Sequence, residues 1–344
     1  MSAQHRITAP GPLLNENGCL AHKGYATRLL LDYDRRCVAA SNLRLKEWDY
    51  YYIGNDSFGL ALTIADNGYM SLDSISFLDF EKKAFTTQSR MRILPRRRNL
   101  PATSVEGDIR ARGKDYEINF LNDGKSRQLF GHMDNFGKGG SILFDLTLTD
   151  PPHDSMVIAT PFPHASRAFY YNQKINCLRA EGRIVLNGEE YLFSPATAFG
   201  VLDWGRGVWT YENTWYWGSA SGVVNGKRFG FNIGYGFGDT SAATENMLFY
   251  NGLGHKLADV AFHIPRRDGR EDYLSPWHFT SSDSRFEMDF KPILDRCDRI
   301  DLKLLLSDQH QVFGRFTGRA VLDDGTVLQI QDLTGFAEKV HNRW

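Results

Sequence analysis

Eight Asn-Gly or Asp-Gly pairs are distributed along the whole chain, and they constrain its fold more than any other feature. Two-residue hairpin turns require positive φ angles, which Asn, Asp and Gly tolerate better than other residues. A chain interrupted in this way is expected to fold back on itself repeatedly as antiparallel strands. The pairs begin at Asn17, Asn67, Asp123, Asn187, Asn225, Asn251, Asp268 and Asp324.

Three of these pairs lie between segments with the composition of strands. Residues 183–186 and 190–193 flank Asn187-Gly188, residues 221–224 and 228–231 flank Asn225-Gly226, and residues 319–322 and 327–330 flank Asp324-Gly325. We therefore predict three antiparallel hairpins at these positions.

Alternation of apolar and polar residues supports further strands. Apolar residues recur at every second position over 142–148 and again at Ile300, Leu302 and Leu304, a spacing that predicts one buried face. Helical periodicity is scarce, and only residues 41–48, capped by Ser41, and residues 239–245 are candidate short helices. The sequence predicts an all-β protein with two antiparallel β-barrels or strongly curved sheets and few short helices.

A proline-rich stretch over residues 150–163 is the expected boundary between the two units. We expect residues 1–155 to form an N-terminal β-barrel-like domain. Residues 156–344 then form a C-terminal β-barrel-like domain that carries a Trp-rich site. The alternative is one continuous closed sheet in which this stretch is a crossing loop.

Composition excludes several classes of protein. The 344 residues include 40 Lys and Arg against 41 Asp and Glu, a net charge of −1 that argues against a nucleic-acid partner. No apolar run is long enough for a transmembrane helix, so we expect no stable membrane insertion. The start of the chain lacks the apolar stretch of a signal peptide, and the four cysteines form no CxxC pair. These features predict a reduced, cytoplasmic protein, a monomer or a homodimer.

One segment is locally basic. Charges at an edge strand discourage pairing between sheets, so a solvated loop and edge strand is one interpretation, and a patch for an anionic partner is the other. The cluster comprises Arg90, Arg92, Arg96, Arg97, Arg98, Arg110 and Arg112.

The residues best suited to chemistry lie between positions 199 and 246. Trp215 and Trp217 are two apart on a predicted strand, so their side chains share one face. Asp203 and Arg206 flank a Gly-rich segment that we interpret as a turn, where backbone can approach a ligand closely. A carboxylate, a guanidinium and several indoles suit a pocket for a largely apolar molecule with one polar group. The predicted site residues of this region are Asp203, Trp204, Arg206, Trp209, Trp215, Trp217, Asn232 and Glu245.

Other familiar motifs are absent. The run Gly234-Tyr-Gly-Phe-Gly238 lacks the GxGxxG spacing of a nucleotide loop, so a bulged strand is the better interpretation. The run Gly218-Ser-Ala-Ser-Gly222 has Ala where a nucleophile elbow needs Ser. The 10 His lack the spacing of a metal site. We therefore expect no metal, nucleotide or flavin cofactor.

The strings 203–207, 215–222 and 232–246 together resemble the DUF2804 family over most of the chain. The order of elements also resembles the AttH and carotenoid 1,2-hydratase proteins. The matching features are Tyr170-Tyr171, the hairpin over 182–193, the segment Asp203-Trp-Gly205, the Trp-x-Trp strand and the closing 335–338. This second resemblance implies two lipocalin-like β-barrels in tandem. It also implies a relation to enzymes that hydrate or cyclise isoprenoid-like substrates, although the Asp-Trp-Gly segment is shorter here.

Two further residues complete the predicted site. Tyr171 is a candidate for substrate binding because it belongs to the resembling tyrosine pair. His164 precedes that pair and is either a hydrogen-bonded loop residue or a substrate-binding residue.

Three functions fit these residues. The first is a cofactor-independent lyase, hydratase or cyclase acting on an apolar or polycyclic small molecule. Asp203 or Glu245 would donate a proton, indoles would stabilise a developing cation, and Arg206 would orient the donor or hold a substrate carboxylate. The second is a non-catalytic protein that binds a lipid-like ligand, and the third is a carbohydrate-active enzyme.

For the first of these functions, we expect Asp203 to act as the protonated acid. We also expect Arg206 not to be its permanent partner, because a tight Asp–Arg pair would keep the carboxyl ionised.

Overall fold

A computed structural model describes residues 4–93, 98, 100–302 and 305–343. Among these residues, fifteen strands and one 3₁₀ helix, Arg35–Cys37, lie before residue 209. In chain order the strands are β1 (Gly11–Pro12), β2 (Gly24–Ala26), β3 (Leu31–Asp32), β4 (Leu45–Gly54), β5 (Phe58–Asp66), β6 (Met70–Asp79), β7 (Ala84–Ile93), β8 (Ile109–Arg112), β9 (Tyr116–Asn122), β10 (Arg127–Phe136), β11 (Gly140–Thr149), β12 (Met156–Phe162), β13 (Ala165–Leu186), β14 (Glu189–Phe193) and β15 (Phe199–Val208).

Eleven strands follow in the described residues after position 211. They are β16 (Glu212–Val224), β17 (Lys227–Tyr235), β18 (Met247–Tyr250), β19 (Leu253–Lys256), β20 (Val260–His263), β21 (Arg266–Arg267), β22 (Arg270–Glu271), β23 (Trp277–Ser281), β24 (Phe286–Leu302), β25 (Leu305–Val321) and β26 (Val327–Arg343).

Thirteen of the first fifteen strands form one curled sheet. Its main path runs β7-β6-β5-β4-β15-β13-β11-β10-β9-β8, and β2, β12 and β14 attach through β13 and β12. The pairings along this path are antiparallel. The 22-residue β13 pairs with β12 along its first part and with β11 and β14 along its last part. This one strand therefore connects β12 to β11 and β14 within the sheet.

The second sheet contains nine strands in the order β19-β18-β17-β16-β26-β25-β24-β23-β20. Its two margins approach each other where the amide of Phe262 donates to the Tyr235 hydroxyl at 3.4 Å. Tyr216 stacks on Tyr235 with ring centroids 4.4 Å apart, next to the same Phe262 ring. Each sheet thus curls around an apolar core of its own.

A third apolar cluster joins the outer faces of the two sheets, and we call this contact the seam. Tyr50 and Tyr52 of β4 and Val201 of β15 pack there against Phe313 of β25 and Phe336 of β26. The seam positions the functional residues described below.

The fold class predicted from the sequence is confirmed: the protein is almost entirely antiparallel β, with two strongly curved sheets. The three predicted hairpins are present. The first two turn through two residues, whereas the third turns through residues 322–326 because Val321 pairs with Val327. Asn187 and Asn225 have φ angles of 53° and 52°, as two-residue turns require. The alternation over 142–148 is also correct, because Ile142, Phe144, Leu146 and Leu148 are all buried.

Several expectations about local structure are wrong. The described residues contain no α-helix: Ser41 begins a turn, β4 starts at Leu45, and residues 239–245 form an irregular loop. β4 is buried on both faces between β5 and β15, and this packing outweighs weak helical propensity. Ile300 is 39% exposed and not part of a buried face, and Leu304 lies outside the described residues.

The chain passes from the first sheet to the second between Val208 and Glu212, not at residue 155. Residues 156–208 therefore belong to the first sheet, and the proline-rich stretch connects strands within it. The first prolines of the stretch lie between the end of β11 and the start of β12, and both of these strands belong to the first sheet.

The basic cluster lies at the margin of the first sheet. Arg90 pairs with Asp115 at 2.6 Å, and Arg92 donates to the Tyr116 hydroxyl at 3.2 Å. Arg98 pairs with Asp73, which also accepts from Tyr116. These bonds connect β6 and β7 to the chain around β9 and so help to close the sheet. Arg110 and Arg112 lie on β8, whereas Arg96 and Arg97 lie outside the described residues.

Arg206 is fully buried inside the first sheet. Its guanidinium pairs with Asp49 at 3.1 Å and donates to the carbonyls of Trp48, Gly205 and Pro101 at 2.8–2.9 Å. We predict that Arg206→Met lowers the free energy of unfolding by about 3–5 kcal/mol, because it leaves a buried carboxyl without its cation.

Urea unfolding of this variant beside Arg183→Met is the measurement. Arg183 is an exposed strand residue whose pair with Glu190 spans 3.3 Å, so the control should change stability little. Equal stabilities of the two variants would contradict a structural role for Arg206.

Candidate functional site

A row of polar and aromatic side chains crosses the outer face of the first sheet. Asp203 of β15 lies directly opposite Lys174 of β13 on one side and Tyr50 of β4 on the other. Tyr50 in turn is paired with Thr63 of β5. Residues directly opposite each other on paired strands share a face, so all four side chains point towards the seam.

A second row crosses the facing surface of the second sheet. Glu338 of β26 lies between Trp217 of β16 and Gln311 of β25, and Gln311 is paired with Arg296 of β24. Next to Trp217, the paired position on β17 is Gly234, and a Cβ there would lie 2.6 Å from Oε1 of Glu245. The missing side chain of Gly234 leaves the space that the Glu245 carboxyl occupies.

The two rows contact each other across the seam. The Lys174 ammonium lies 4.0 Å from the centroid of the Trp217 ring, a cation–π contact between the sheets. The Tyr50 hydroxyl donates to Oε1 of Gln311 at 3.3 Å. Tyr50 and Trp217 also meet edge to face at 6.0 Å.

An aromatic wall closes one side of the space between the rows. Trp209 contacts Trp48, Trp215 and Phe237 edge to face, with centroids 4.9–6.0 Å apart. Tyr170 stacks against Trp48 at 6.1 Å and meets Phe237 edge to face at 4.8 Å. These five rings come from both sheets, and we call them the aromatic wall.

Two glycines make this wall possible. Gly236 and Gly238 have φ angles of 92° and 75°, a backbone conformation that L side chains rarely adopt. They form a loop after β17 that carries Phe237 onto the first sheet, where the Asp239 amide donates to the carbonyl of Pro161 at 2.8 Å. The interpretation of this segment as a bulged strand is therefore wrong, because β17 ends at Tyr235.

The rows and the wall enclose a cavity of about 230 Å³. Its lining includes the carboxyl residues Asp203, Glu245 and Glu338 and the cationic residues Lys174 and Arg296. All three carboxyl residues are at least nine-tenths buried. One side of the cavity is thus apolar and aromatic, and the other holds a compact set of ionisable groups.

Burial is the main influence on the titration of these groups. It raises the pKa of Glu338 to about 7, although Trp215 and Gln311 donate hydrogen bonds to its two oxygens at 3.0 and 2.9 Å. Burial also raises the pKa of Glu245, against the opposing effect of Lys174. The pKa of the Tyr170 phenol is raised by burial and further by the charges of Glu245, Asp203 and Glu338.

Asp203 has a different environment. It accepts from Lys174 Nζ at 2.8 Å and from Asn172 Nδ2 at 2.6 Å. Both donors contact Oδ1, and the ammonium charge of Lys174 makes Asp203 a hydrogen-bond acceptor in an ion pair. Arg206 is not its partner, as expected, but Lys174 takes that place.

The structure brings together five of the residues predicted for the site: Asp203, Trp209, Trp215, Trp217 and Glu245 all line the cavity. The cavity lies between the sheets and not within the C-terminal unit. Asn232 stands behind it, accepting from the Trp217 indole at 2.7 Å and donating to the Glu245 carbonyl at 2.8 Å.

Four predicted residues lie elsewhere. Trp204, Arg206 and Tyr171 point into the core of the first sheet, and Tyr171 donates to the Leu31 carbonyl at 2.9 Å. The segment 203–207 is a strand and not a turn, so neighbouring residues point to opposite faces. His164 is an exposed turn residue with a φ of 60°.

Sequence reasoning missed several residues of the cavity. Tyr170 lines it in place of its neighbour Tyr171, and Lys174 lies four positions further along the same strand. Glu338 lies in the closing segment 335–338, which is part of the resemblance to AttH, but the local sequence does not mark this residue as an acid. Trp48 and Arg296 carried no local signal, because only pairing between distant strands places them here.

The fold and site define a two-sheet β protein with an aromatic, carboxyl-lined cavity at the seam. The chain matches the family described as Domain of unknown function (DUF2804) over residues 4–344, and it belongs to that family. The membership predicted from the sequence is thus confirmed. No curated protein matches the chain.

Three solved structures are similar in fold at low sequence identity. A putative AttH (NE1406) from Nitrosomonas europaea is 14% identical, with a TM-score of 0.48, covering 90% of this chain and 96% of that one. Kievitone hydratase from Nectria haematococca is 11% identical, with a TM-score of 0.46 and coverages of 87% and 88%. CghA is 10% identical, with a TM-score of 0.49 and coverages of 97% for both chains.

Gly205 lies under the indole of Trp48, and a Cβ there would be 2.0 Å from Cζ2 of that ring. We predict that Gly205→Ala displaces the indole from the aromatic wall and lowers stability by about 1–3 kcal/mol. Thermal melting and tryptophan fluorescence will detect both effects. Gly11→Ala is the control, since a Cβ at Gly11 meets nothing within 4 Å; similar melting of the two variants would contradict the close contact.

The titration of Glu338 gives a second prediction. Its pKa rises from an ordinary 4.5 to about 7 on folding, so its contribution to stability is fully present below pH 4.5 and is lost as pH rises to about 7. The free energy of unfolding of the wild type, minus that of Glu338→Gln, should therefore fall by roughly 2–3 kcal/mol between pH 5 and pH 8.

Urea titrations of both proteins across this range measure the difference. Other ionisable groups are the same in both proteins, so their contributions largely cancel. If the difference in the free energy of unfolding stays constant with pH, the pKa of Glu338 in the folded protein is not raised.

Proposed function

We propose that this protein is a lyase or isomerase of the hydratase or cyclase type, which protonates an apolar small molecule in the seam cavity. The observation that carries the proposal is that Asp203, Glu245 and Glu338 share one buried cavity with the aromatic wall. The combination supports acid catalysis on an apolar substrate better than the other two functions considered. The aromatic wall gives a substrate a broad apolar surface, which suits an apolar molecule better than a sugar.

Glu338 is the proposed proton donor. A general acid works best when its pKa is close to the working pH, and burial raises that of Glu338 to about 7. Trp215 and Gln311 each donate to one oxygen of the carboxyl group. These two bonds fix its plane, and each oxygen keeps further capacity to hold the acidic proton.

The aromatic wall would stabilise the charge that protonation creates. Addition of the Glu338 proton to a carbon–carbon double bond leaves a cationic carbon on the substrate. The faces of Trp48, Tyr170 and Trp215 are electron-rich and attract such a cation.

Two outcomes complete the reaction with atoms balanced. In a hydratase, water attacks the cationic carbon through its oxygen, and a carboxylate of the cavity takes the proton that the water loses. In a cyclase, a second double bond of the substrate attacks instead, and the carboxylate removes a proton from the new cation. Asp203 suits this base role because Lys174 and Asn172 hold it as an acceptor. Proton exchange with solvent then returns Glu338 to its acid form.

The substrate would carry one polar group beside its apolar body. Lys174 and Arg296 are cationic residues of the cavity lining, and Gln311 provides an amide between the two sheets. A carbonyl or phenol oxygen on the substrate is the matching group.

Deuterium incorporation tests the proposal. Purified protein is incubated in D₂O with a panel of isoprenoid alcohols and polycyclic phenols, and with any ligand that native mass spectrometry finds bound to it. We expect the wild type to add one deuterium, or one D₂O, to a compound that quenches its tryptophan fluorescence. Glu338→Gln should bind the same compound but lose this reaction by at least about 100-fold.

Glu190→Gln, an exposed change on β14, is the matched control and should react like the wild type. A wild type that binds compounds from the panel but alters none of them would identify a ligand-binding protein instead.

A further inference from the structure

A second cluster of reactive side chains lies on the opposite side of the strand pair β24–β25 from the cavity. Cys297 is directly opposite His310, and Asp295 is two residues before Cys297 on the same face of the strand. Ligand atoms of Asp295, Cys297 and His310 lie within 4.8 Å of one another. The three side chains therefore converge on one point near the end of the second sheet.

The cluster contains an acceptor without a partner. Asp295 Oδ2 lies 2.7 Å from His310 Nδ1 and accepts a hydrogen bond from the tautomer that is protonated there. Its other oxygen, Oδ1, is buried and has no hydrogen-bond partner among the described residues. A buried carboxylate oxygen without a donor is costly, and a cation at this point would satisfy it.

The surroundings favour a cation. Asp308 Oδ1 lies 3.6 Å from His310 Nε2, on the other side of the imidazole from Asp295. Tyr273 stacks on the His310 ring at 3.8 Å and 10°, which fixes the plane of the imidazole.

We propose that Asp295, Cys297 and His310 form a zinc site, a binding site separate from the seam cavity and independent of the proposed function. One sulfur, one nitrogen and one oxygen ligand are a donor set that Zn²⁺ accepts, with a fourth position open to Asp308 or water. Zinc replaces the proton of the Cys297 thiol, which passes to solvent, and no redox change occurs. Tetrahedral bonds of about 2.0–2.3 Å require the three donors to draw somewhat closer together.

The location of the proposed zinc site indicates that bound zinc would hold residues of the seam cavity in place. Arg296 and Gln311 alternate with the three ligands along β24 and β25, so they point to the other face and line the cavity. Gln311 is the residue that donates to Glu338. Zinc bound behind this strand pair would restrain the residues that hold the cavity carboxyl in place.

The sequence predicted no metal because this set has no short motif. Asp295 and Cys297 share a strand, but His310 comes thirteen residues after Cys297, and only the register of the hairpin brings it opposite. Motif spacing therefore could not detect the cluster.

Cobalt substitution tests the site without any substrate. After treatment with a chelator and dialysis, the full chain is titrated with CoCl₂ and its ultraviolet and visible spectra are recorded. We expect one Co²⁺ per chain, a sulfur-to-cobalt charge-transfer band, and displacement of Co²⁺ by one equivalent of ZnCl₂. Cys297→Ser should lose the charge-transfer band, and Cys297→Ser and His310→Ala should each lower zinc affinity by at least about 100-fold.

Cys37→Ser is the matched control, because Cys37 is also an exposed cysteine and its removal should leave both readouts unchanged. Far-UV circular dichroism in chelator will show that each variant is folded. If the wild type binds less than one Co²⁺ per chain, or if Cys297→Ser keeps the band, the cluster holds an adventitious ion only and the proposal fails. Loss of deuterium incorporation has no bearing on this result, so the two proposals can fail separately.

Discussion

Strand β15, residues Phe199–Val208, is buried on both faces, and the arrangement of the whole molecule depends on that double burial. One face contributes Leu202, Trp204 and Arg206 to the interior of the first sheet. The other face presents Val201 and Asp203 to the seam, where the second sheet covers them. A strand in this position must satisfy two different environments with alternate residues. That is why Asp203 faces the cavity while its immediate neighbour is part of a core.

Local signals in the sequence were sufficient for the architecture and for part of the site. Asn187-Gly188 and Asn225-Gly226 specify their hairpins through backbone conformation alone. The two-residue spacing of Trp215 and Trp217 correctly placed both indoles on one face. Asp203 and Glu245, chosen for their chemistry, do line one cavity.

The remainder of the site depends on pairing between strands that are far apart in the chain. Lys174 reaches Asp203 because β13 pairs with β15, and Glu338 reaches Trp217 because β26 pairs with β16. Nothing within a few residues of Glu338 indicates that register. The position of Arg206 is not predictable for another reason. A Gly-rich segment resembles a turn, whereas Gly205 makes room for the Trp48 ring within a strand.

The order of the strands has a consequence for synthesis of the protein. In the described residues, every strand of the first sheet precedes position 209 and every strand of the second follows position 211. On a ribosome, the first sheet can therefore pair completely while its seam face, with Trp48, Tyr50 and Tyr52, still lacks its cover. Translation at roughly 5–20 residues per second leaves that apolar face open for on the order of ten seconds before β26 emerges. During that interval the exposed apolar seam face can associate with other nascent chains. A chaperone that covers this face would therefore act at this stage.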